Sequence, residues 1–312
     1  MIKVAVIGLG HLGKWHVDKV LACSSAELIC AVDPAPSSKG VLEERGLSIP
    51  LYKTLEDCLE QEEFDAAFVV TPTSLHFDVC KKLLKEGKHV FCEKPLTSTY
   101  EQALELKSLK GRSTFQVGHS ERFHAIWNQL GVRKKYLEDK PVLSLNRQAP
   151  FKGRATDVDV VQDLMIHDID LVLYLLKEKP QQVLALGKKQ RTDKWDYVKA
   201  FFSFESGAQA TITVGRNHVC EVRELESVNS AGCLKVDLLN RKAFEASALA
   251  MDNFVQEENY DKRDHLLEEH ESFYQAILDE SEAIVSIDAG VEAVYFVELV
   301  LKSLENGRAI QC

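Results

Sequence analysis

The sequence has 312 residues, 45% apolar and 28% charged, which is typical of a globular protein of one to three domains. Its formal net charge of −10 argues against a general nucleic-acid-binding surface. No uninterrupted apolar segment reaches transmembrane length, and the first residues show no signal-peptide pattern. We therefore expect a cytoplasmic protein that binds neither nucleic acid nor membrane. The cysteines include no C-x-x-C pair and the histidines are scattered, which predicts reduced thiols and no metal site.

The first segment combines a candidate strand with a glycine-rich turn. The apolar run Ile2–Ile7 leads into Gly8, Gly10 and Gly13, the pattern G-x-G-x-x-G. In a dinucleotide site the first glycine permits a tight turn, the second admits a pyrophosphate, and the third allows close helix–strand packing. The alternative is an ordinary strand–helix turn that happens to hold three glycines.

Asp33 distinguishes these two interpretations. It ends the next candidate strand, Glu27–Asp33, twenty positions after Gly13, where a carboxylate can accept hydrogen bonds from an adenosine ribose diol. The same carboxylate would repel a 2′-phosphate, so the sequence favours NAD over NADP.

Strands and helices alternate through the first half of the chain, which predicts a doubly wound, mostly parallel Rossmann sheet over residues 1–122. The further strands are predicted at Ala66–Val70, His89–Cys92 and Thr114–Val117. The helices are predicted at Lys14–Ala22, Val41–Arg45, Thr54 to Gln61, Phe77–Leu84 and from Ser98 onward.

Several candidate site residues follow the carboxyl ends of these strands. They are Gly8, Asp33, Thr71, Lys94 and His119. Ligands of open α/β sheets bind at that edge, so residues from different strands are expected to face one crevice.

The second half, residues 123–312, has a different pattern, which predicts an α+β domain with a large, mostly antiparallel sheet. Strands are predicted at Val142–Arg147, Val183–Gly187, Val198–Phe204, Ala208–Val214 and Leu234–Leu239, with a hairpin turn at Glu205–Gly207. Helices are predicted at Val160–Leu176, His265–Leu278 and Gly290–Leu304. One face of such a sheet is available to a partner subunit, so we expect a homodimer or homotetramer.

The helix predicted at Val160–Leu176 carries a polar stripe on an otherwise apolar surface. Asp163, His167 and Asp170 are spaced i, i+4 and i+7 and therefore share one face. A buried polar stripe is costly without partners, so this face should border a cleft. His167 is either a core histidine bonded to Asp163 or a catalytic residue, and a nicotinamide-binding domain in the same chain favours catalysis.

These motifs together resemble the Gfo/Idh/MocA family of oxidoreductases over essentially the whole chain. The matching residues are Gly8 to Gly13, Asp33, Thr71-Pro72-Thr73 with His76, Glu93-Lys94-Pro95, and Asp163-x-x-x-His167-x-x-Asp170. The resemblance implies that Lys94 and His167 are catalytic and lie beside the nicotinamide and the substrate carbon, with Asp163 binding or orienting the substrate. It also implies a Lys94–Pro95 peptide that is often cis.

The resemblance also implies the binding residues. Those for the cofactor are Gly8, Gly10, His11, Leu12, Gly13, Asp33, Thr71, Pro72, Thr73, His76, Glu93 and Lys94. Those for the substrate are Lys94, His119, Arg122, Asp163 and His167.

Two segments, Val117–Phe123 and Asp163–Asp170, resemble the branch of the family that oxidises the 3-hydroxyl of UDP-N-acetylglucosamine. In that branch a pyridoxal-phosphate aminotransferase then aminates the 3-keto product, on the way to lipid A or surface polysaccharide. The branch has Asn-Pro where this chain has His124-Ala125. A free sugar or inositol is therefore the alternative substrate, and a non-catalytic dinucleotide-binding regulator is the alternative outside enzymes.

Oxidation of a secondary alcohol needs a base for the hydroxyl proton. His167 suits this role because the usual imidazole pKa lies near neutral pH, while Lys94 could stabilise the alkoxide or act as the base itself. Guanidinium and ammonium groups suit a sugar-nucleotide diphosphate. The candidates are Arg122, Arg147, Lys152, Arg154 and Arg216.

Overall fold

The computed structural model describes residues 1–153, 156–249 and 255–312. By contacts the chain divides into two compact units. The first unit is Met1–Ser120 with Asp264–Val294, and the second is Glu121–Arg263 with Tyr295–Cys312. The predicted division at residue 122 differs in one respect, since the segment Asp264–Val294 belongs to the first unit. Within the described ranges, no helix combines the length and the apolar character needed to cross a bilayer.

The strands are, in chain order, β1 (Ile2–Ile7), β2 (Ala26–Val32), β3 (Leu51–Tyr52), β4 (Ala66–Val69), β5 (His89–Cys92), β6 (Phe115–Val117), β7 (Val142–Gln148), β8 (Pro180–Lys188), β9 (Tyr197–Phe204), β10 (Gln209–Gly215), β11 (Val222–Asn229), β12 (Gly232–Asp237), β13 (Lys242–Ser247), β14 (Gln256–Asn259) and β15 (Ile310–Gln311).

The α-helices are, in chain order, α1 (Gly13–Ala22), α2 (Ser38–Glu43), α3 (Leu55–Gln61), α4 (Thr73–Lys85), α5 (Tyr100–Leu109), α6 (Ala125–Asn128), α7 (Ile166–Leu176), α8 (His265–Leu278) and α9 (Ile287–Asn306). Short 3-10 segments lie at Ser120–Phe123 and Gly131–Leu137, and a π-helical turn lies at Val161–Met165.

The first unit contains a six-stranded parallel sheet in the order β3-β2-β1-β4-β5-β6. All residues of β4 are buried, as expected for a central strand covered by helices on both faces. The predicted doubly wound Rossmann fold is confirmed. Because every strand runs the same way, the residues that follow β1, β2, β4, β5 and β6 lie at one edge of this sheet.

Helix starts in the first unit follow the capping residues that the sequence offers. The Thr54 hydroxyl accepts a hydrogen bond from the Asp57 N–H at 3.2 Å, so α3 begins where predicted. At α5 the cap is Thr99, whose hydroxyl accepts from the Gln102 N–H at 3.3 Å. Ser98 was predicted to start this helix. The prediction was one residue early because both residue types can cap a helix, and Thr99, which has extended backbone, is the one that caps α5.

Helix α8 completes the core of the first unit. Its side chains Phe273 and Tyr274 are 0% and 1% exposed and pack against Phe68 of β4 and Phe91 of β5. Ring centroids of Phe273 lie 5.5 Å from Phe68 and 6.0 Å from Phe91. Burial of aromatic area on this scale dominates local stability, which explains why Asp264–Val294 joins this unit.

The second unit contains a nine-stranded sheet in the order β14-β13-β12-β11-β7-β10-β9-β8-β15. Neighbours are antiparallel except β7 with β10, so the predicted mostly antiparallel sheet is confirmed. The predicted hairpin joins β9 to β10, and Gly207 in its turn has φ +92°, a backbone region that glycine adopts without strain. Strands β11, β13, β14 and β15 were not predicted.

Candidate active site

The glycine turn of the first unit has the shape that a dinucleotide requires. An added Cβ at Gly8 would lie 2.7 Å from the Val70 carbonyl oxygen, and at Gly13 it would lie 2.0 Å from the Gly8 carbonyl oxygen. At Gly10 an added Cβ would meet no atom within 4 Å. Gly8 and Gly13 are therefore required by the protein itself, whereas Gly10 borders open space. In a dinucleotide site the pyrophosphate approaches the backbone of the second glycine, here Gly10, where a Cβ would obstruct it. The glycine turn therefore fits the expected cofactor.

Helix α1 begins at Gly13, directly after this turn. Its N-cap residue is Leu12, which has no side-chain acceptor for the first backbone N–H groups of the helix. The N–H groups of Lys14 and Trp15 donate to the backbone carbonyls of Gly10 and Leu12, at 3.3 and 2.9 Å. The positive end of the helix dipole nevertheless suits an anion such as a pyrophosphate. The prediction that residues 8–13 bind the cofactor phosphates is consistent with this local structure.

Asp33, after β2, holds the glycine turn in place. One carboxylate oxygen accepts the Leu9 N–H at 2.7 Å, and the other accepts the Ala35 N–H at 2.8 Å. Each carboxylate oxygen can accept a further hydrogen bond, so the predicted contact with a ribose diol stays compatible with these two bonds. Asp33 therefore links the end of β2 to the turn after β1.

Thr71, Pro72 and Thr73 connect β4 to α4. The Thr71 hydroxyl oxygen is buried and has no hydrogen-bond partner within the described chain. A buried hydroxyl is usually hydrogen-bonded, and a bound ligand at the strand end can supply the missing partner. Thr71 thus supports the predicted cofactor contact at this edge.

His76 is enclosed by the chain, and its contact with the cofactor stays a prediction. It is 1% exposed, and its ring nitrogens face two backbone carbonyls, Pro95 O at 2.7 Å and Thr71 O at 2.9 Å. Burial lowers the pKa of this imidazole, which favours the neutral ring. His76 therefore lies between the loop after β4 and the loop after β5, and its neutral ring donates to one of these two carbonyls.

Lys94 lies between a buried carboxylate and a cis peptide bond. The Lys94–Pro95 peptide is cis, as the family resemblance implies. Glu93 is 9% exposed, and its carboxylate faces inward, with His16 Nε2 at 3.1 Å from one oxygen and the Lys94 N–H at 3.1 Å from the other. The contact of Glu93 with the cofactor stays a prediction. Lys94 itself is half-buried.

His119 follows β6 and is 0% exposed. Its role in substrate binding stays a prediction, and any such role would act through a ring that the chain already encloses.

In the second unit, the predicted helix Val160–Leu176 is not uniform. Its first turn, Val161–Met165, is π-helical, and regular α-helix begins at Ile166. Asp163 and His167 are half-buried on either side of this change. π-helical turns inside helices occur frequently at functional sites. The prediction of one regular helix was wrong at its start, because a one-residue shift in hydrogen bonding leaves no signal in the apolar pattern.

Asp170 separates from the other two residues of the polar stripe. It is 0% exposed and binds the Arg122 guanidinium through two bonds of 2.8 and 2.6 Å. Arg122 also lies over the Tyr174 ring, 5.0 Å from its centroid. Because the Asp170 carboxylate is buried and paired, the expectation that this helix face borders a cleft is wrong at Asp170. The Nε–H and one Nη2–H of Arg122 donate to Asp170, so these two donors are not available to a substrate phosphate.

Arg147 is the centre of a buried charge cluster that the sequence did not reveal. Its guanidinium donates to Asp168 at 2.6 to 3.1 Å and to Glu121 at 3.0 Å. Burial would lower the pKa of Arg147, but these two carboxylates outweigh it and raise the pKa. The cluster joins β7 to α7, and Arg147 is held as a structural cation.

A cavity of about 100 Å³ in the second unit brings Asp163 together with several cations. Arg216, on this cavity, donates to Asp196 at 2.8 Å and to the Val158 carbonyl at 2.8 Å, so its fork is largely committed. Lys152 is about half exposed and pairs with Glu221 at 3.1 Å. Arg154 lies outside the described residues.

Arg223 also lines this cavity, and sequence reasoning missed it. Its side chain is 35% exposed and donates once, to Glu121 at 3.2 Å. With respect to the residues that the structure describes, the other N–H groups of the guanidinium remain available for an anion. No local sequence motif marks Arg223, and β11, the strand that carries it, was not predicted. A correct assignment of β11 would have placed it beside Arg147, its partner in the sheet register.

Comparisons with known proteins extend over both units. The oxidoreductase family model GFO_IDH_MocA, an NAD-binding Rossmann fold, matches residues 2–119, and the GFO/IDH/MocA C-terminal domain matches residues 132–234. UDP-N-acetylglucosamine 3-dehydrogenase of Acidithiobacillus ferrooxidans is 32% identical over 88% of each chain. Its solved structure matches with a TM-score of 0.88 at 29% identity, covering 98% of both chains. The scyllo-inositol 2-dehydrogenase (NAD(+)) of Bacillus subtilis is 30% identical over 69% of this chain and 67% of its own.

Proposed function

The chain belongs to the Gfo/Idh/MocA family of oxidoreductases, and from this premise we propose that it oxidises the 3-hydroxyl of UDP-N-acetylglucosamine with NAD. At the coarser level it is an NAD-binding oxidoreductase of the sugar dehydrogenase type. The observation that carries the finer proposal is the similarity to the A. ferrooxidans enzyme, which extends over 88% of both chains.

The cations of the second unit support a diphosphate-bearing substrate. Lys152 and Arg223 line the same cavity as Asp163 and retain donors that are not committed to buried carboxylates. A nucleotide sugar carries two phosphates that such donors can bind. A free inositol or sugar carries no charge and gains nothing from them.

The chemistry requires a base and a cation at the reacting hydroxyl. We assign the base to His167, with Asp163 orienting the substrate, and the cation that stabilises the developing alkoxide to Lys94. When bound, NAD accepts the hydride that leaves the carbon, so alcohol and NAD⁺ give ketone, NADH and one proton. The proton passes to His167, which then releases it to solvent. Lys94 as the base, with His167 orienting the hydroxyl, is the reverse assignment.

The 3-keto product has the chemistry of an aminotransferase substrate. We therefore propose that a pyridoxal-phosphate aminotransferase consumes it, in the synthesis of 3-amino sugars for lipid A or polysaccharide. A coupled assay with such an enzyme should raise the yield of NADH, since oxidation of an alcohol by NAD is readily reversible.

We also propose that the protein is a homodimer or homotetramer that buries the outer face of the nine-stranded sheet. Apolar side chains on this sheet are exposed, among them Leu186 at 58% and Phe201 at 39%. Exposed apolar area of this kind commonly marks a protein interface. Sedimentation velocity measures the oligomeric state directly.

The substrate proposal is tested with a panel of UDP-sugars, free N-acetylglucosamine and inositols, with NADH formation measured for each. We expect the highest kcat/KM with UDP-N-acetylglucosamine. Higher kcat/KM with an inositol would replace the proposal with the inositol dehydrogenase alternative, for which the similarity to the B. subtilis enzyme is the supporting observation.

His167→Ala provides the mechanistic control in the same panel. Loss of a general base should lower kcat by about a hundredfold or more while NAD still binds. Turnover within a few-fold of the unchanged enzyme would remove His167 from the role of base. NAD binding without turnover of any compound would favour the regulator alternative.

A further inference from the structure

Four buried side chains of the first unit form a continuous line of hydrogen bonds that the proposed reaction does not use. Tyr274 Oη lies 3.4 Å from His270 Nδ1, His270 Nε2 lies 2.9 Å from His16 Nδ1, and His16 Nε2 lies 3.1 Å from Glu93 Oε1. Both histidines are 0% exposed, Tyr274 is 1% and Glu93 is 9% exposed. We refer to these four side chains as the Glu93 chain.

The donors of the Glu93 chain can all point the same way. An ionised carboxylate only accepts, so His16 donates from Nε2 to Glu93. In this direction His16 Nδ1 accepts from the Nε2–H of His270. A neutral His270 accepts at Nδ1 from the Tyr274 hydroxyl. With this arrangement each polar atom of the chain has a partner of the correct type, as buried polar groups require.

The protonation states support this direction. Burial lowers the pKa of His270 well below its usual value, so this ring is neutral. Burial alone would raise the pKa of the Glu93 carboxyl, but the hydrogen bond from His16 and the nearby charge of Lys94 lower it overall. Glu93 is therefore the ionised end of the Glu93 chain.

The ionised end lies next to the proposed catalytic lysine. The second oxygen of Glu93 accepts the backbone N–H of Lys94 at 3.1 Å. On another side the carboxylate is confined by Gly118, where an added Cβ would lie 3.0 Å from both Cδ and Oε1 of Glu93. Because His16 and Gly118 fix the carboxylate, the carboxylate fixes the backbone of Lys94.

We propose that the Glu93 chain positions Lys94 for the reaction, with His16 and His270 as positioning residues that contact neither substrate nor cofactor. This rests on the proposed function in one respect, the assignment of Lys94 to the reaction. Helix α8, which supplies His270 and Tyr274, thereby supports the loop after β5 from a position more than 170 residues away in sequence.

The test compares His270→Phe with His270→Gln. Phenylalanine keeps the ring that stacks on Phe68, with centroids 4.1 Å apart, but cannot donate to His16. Glutamine is the conservative control, because its amide N–H₂ can replace Nε2 as the donor. We expect His270→Phe to lower kcat about tenfold to a hundredfold, since small misplacement of a reacting group costs that much. KM and the Kd for NAD should change less than about threefold, and His270→Gln should retain most of kcat.

A second readout does not depend on any substrate. In hydrogen exchange, the Lys94 amide should exchange faster in His270→Phe than in the unchanged protein, while the Val6 amide in β1 serves as a control and stays protected. His270→Gln should leave both amides protected. An unchanged Lys94 amide in His270→Phe would overturn the proposal, whatever the substrate proves to be.

Gly118→Ala is the second variant, to be used also if His270→Phe does not fold. It displaces the Glu93 carboxylate sterically and removes no hydrogen-bonding group, so the Lys94 amide should again exchange faster. Nitrogen-15 labelling of histidine provides the third check, with His270 expected as the neutral Nε2–H tautomer at neutral pH. A protonated His270, or protection of Lys94 that survives Gly118→Ala, would contradict the positioning role. Failure of the proposed substrate alone would leave the tautomers and the exchange pattern unchanged.

Discussion

Polar residues at the strand ends of the first unit mainly hold backbone in place. Asp33 accepts two backbone N–H groups, His76 faces two backbone carbonyls, and Glu93 accepts the Lys94 N–H. The pattern of a polar side chain after an apolar strand located Asp33 and Glu93, whereas the family resemblance gave His76, which lies within α4. The sequence could not give their partners, since these depend on which loops meet in space. Residues such as His16 and His270 carry no such pattern and were missed.

The glycine turn offers a matched pair of variants at this scale. Gly10→Ala should leave the melting temperature nearly unchanged, because its Cβ would meet no protein atom within 4 Å. It should weaken NAD binding about tenfold or more, since the Cβ occupies space needed for close approach of the pyrophosphate. Calorimetry on the ligand-free protein and a fluorescence titration with NAD measure the two effects.

Gly13→Ala is the contrasting variant. Its Cβ would lie 2.0 Å from the Gly8 carbonyl oxygen, so the turn or α1 must move and the protein should lose stability even without NAD. Equal stability of the two variants would contradict the division between protein-required and ligand-required glycines.

At the scale of elements, the sequence predicted the Rossmann unit more fully than the sheet of the second unit. Strand β4 is a continuous apolar run, and β1 is apolar except at Lys3, so both are recognisable. In strand β11 a polar residue, Ser227, is buried and an apolar residue, Val228, is exposed. Its sequence therefore lacks the apolar–polar alternation that marks a strand. The sequence also could not reveal the charge cluster around Arg147, because its members come from four separate segments of the chain.

Arg147 should be structural, and its removal tests how α7 is anchored to the sheet. Arg147→Ala leaves the buried carboxylates of Asp168 and Glu121 without their main cation, which should lower the free energy of unfolding by about 3–5 kcal/mol. Arg223→Ala is the control, since it removes a partly exposed ion pair to the same Glu121 and should cost about 0–1 kcal/mol. Urea denaturation measures both. Similar losses would mean that burial of Arg147 does not determine its contribution.

At the scale of the whole molecule, the sequence suggested one boundary near residue 122, whereas the first unit also contains Asp264–Val294. The helix α8 itself was predicted with the bounds His265–Leu278 that the structure shows. The sequence did not predict which unit α8 packs against, because the contacts of Phe273 with Phe68 and Phe91 join residues about two hundred positions apart. Periodicity reports which face of a helix is buried, and it carries no information on the surface that buries it.

The buried histidines make the stability of the molecule depend on pH. Burial lowers the pKa values of His76, His89 and His270. Below about pH 6.5 the unfolded chain binds protons at these positions that the folded chain does not, so acid favours unfolding. Each histidine should lower the free energy of unfolding by up to about 1.4 kcal/mol per pH unit below 6.5, until the pH reaches its folded pKa.

Urea denaturation between pH 7.5 and pH 5.5 measures this dependence in a range where the carboxylates remain ionised. The variant His270→Gln should show a shallower decline, by the contribution of one proton. A stability that stays constant over this range would mean that these histidines titrate in the folded protein as they do in the unfolded chain.

The return of α8 to the first unit has a consequence for biosynthesis. The ribosome completes the first 120 residues, and then nearly all of the second unit, before it makes Phe273 and Tyr274. During that interval the apolar surface around Phe68 and Phe91 has no covering helix, and exposed surface of this kind promotes aggregation or chaperone binding. The nascent chain can therefore finish its cofactor-binding unit only late in translation, after most of the other unit has been made.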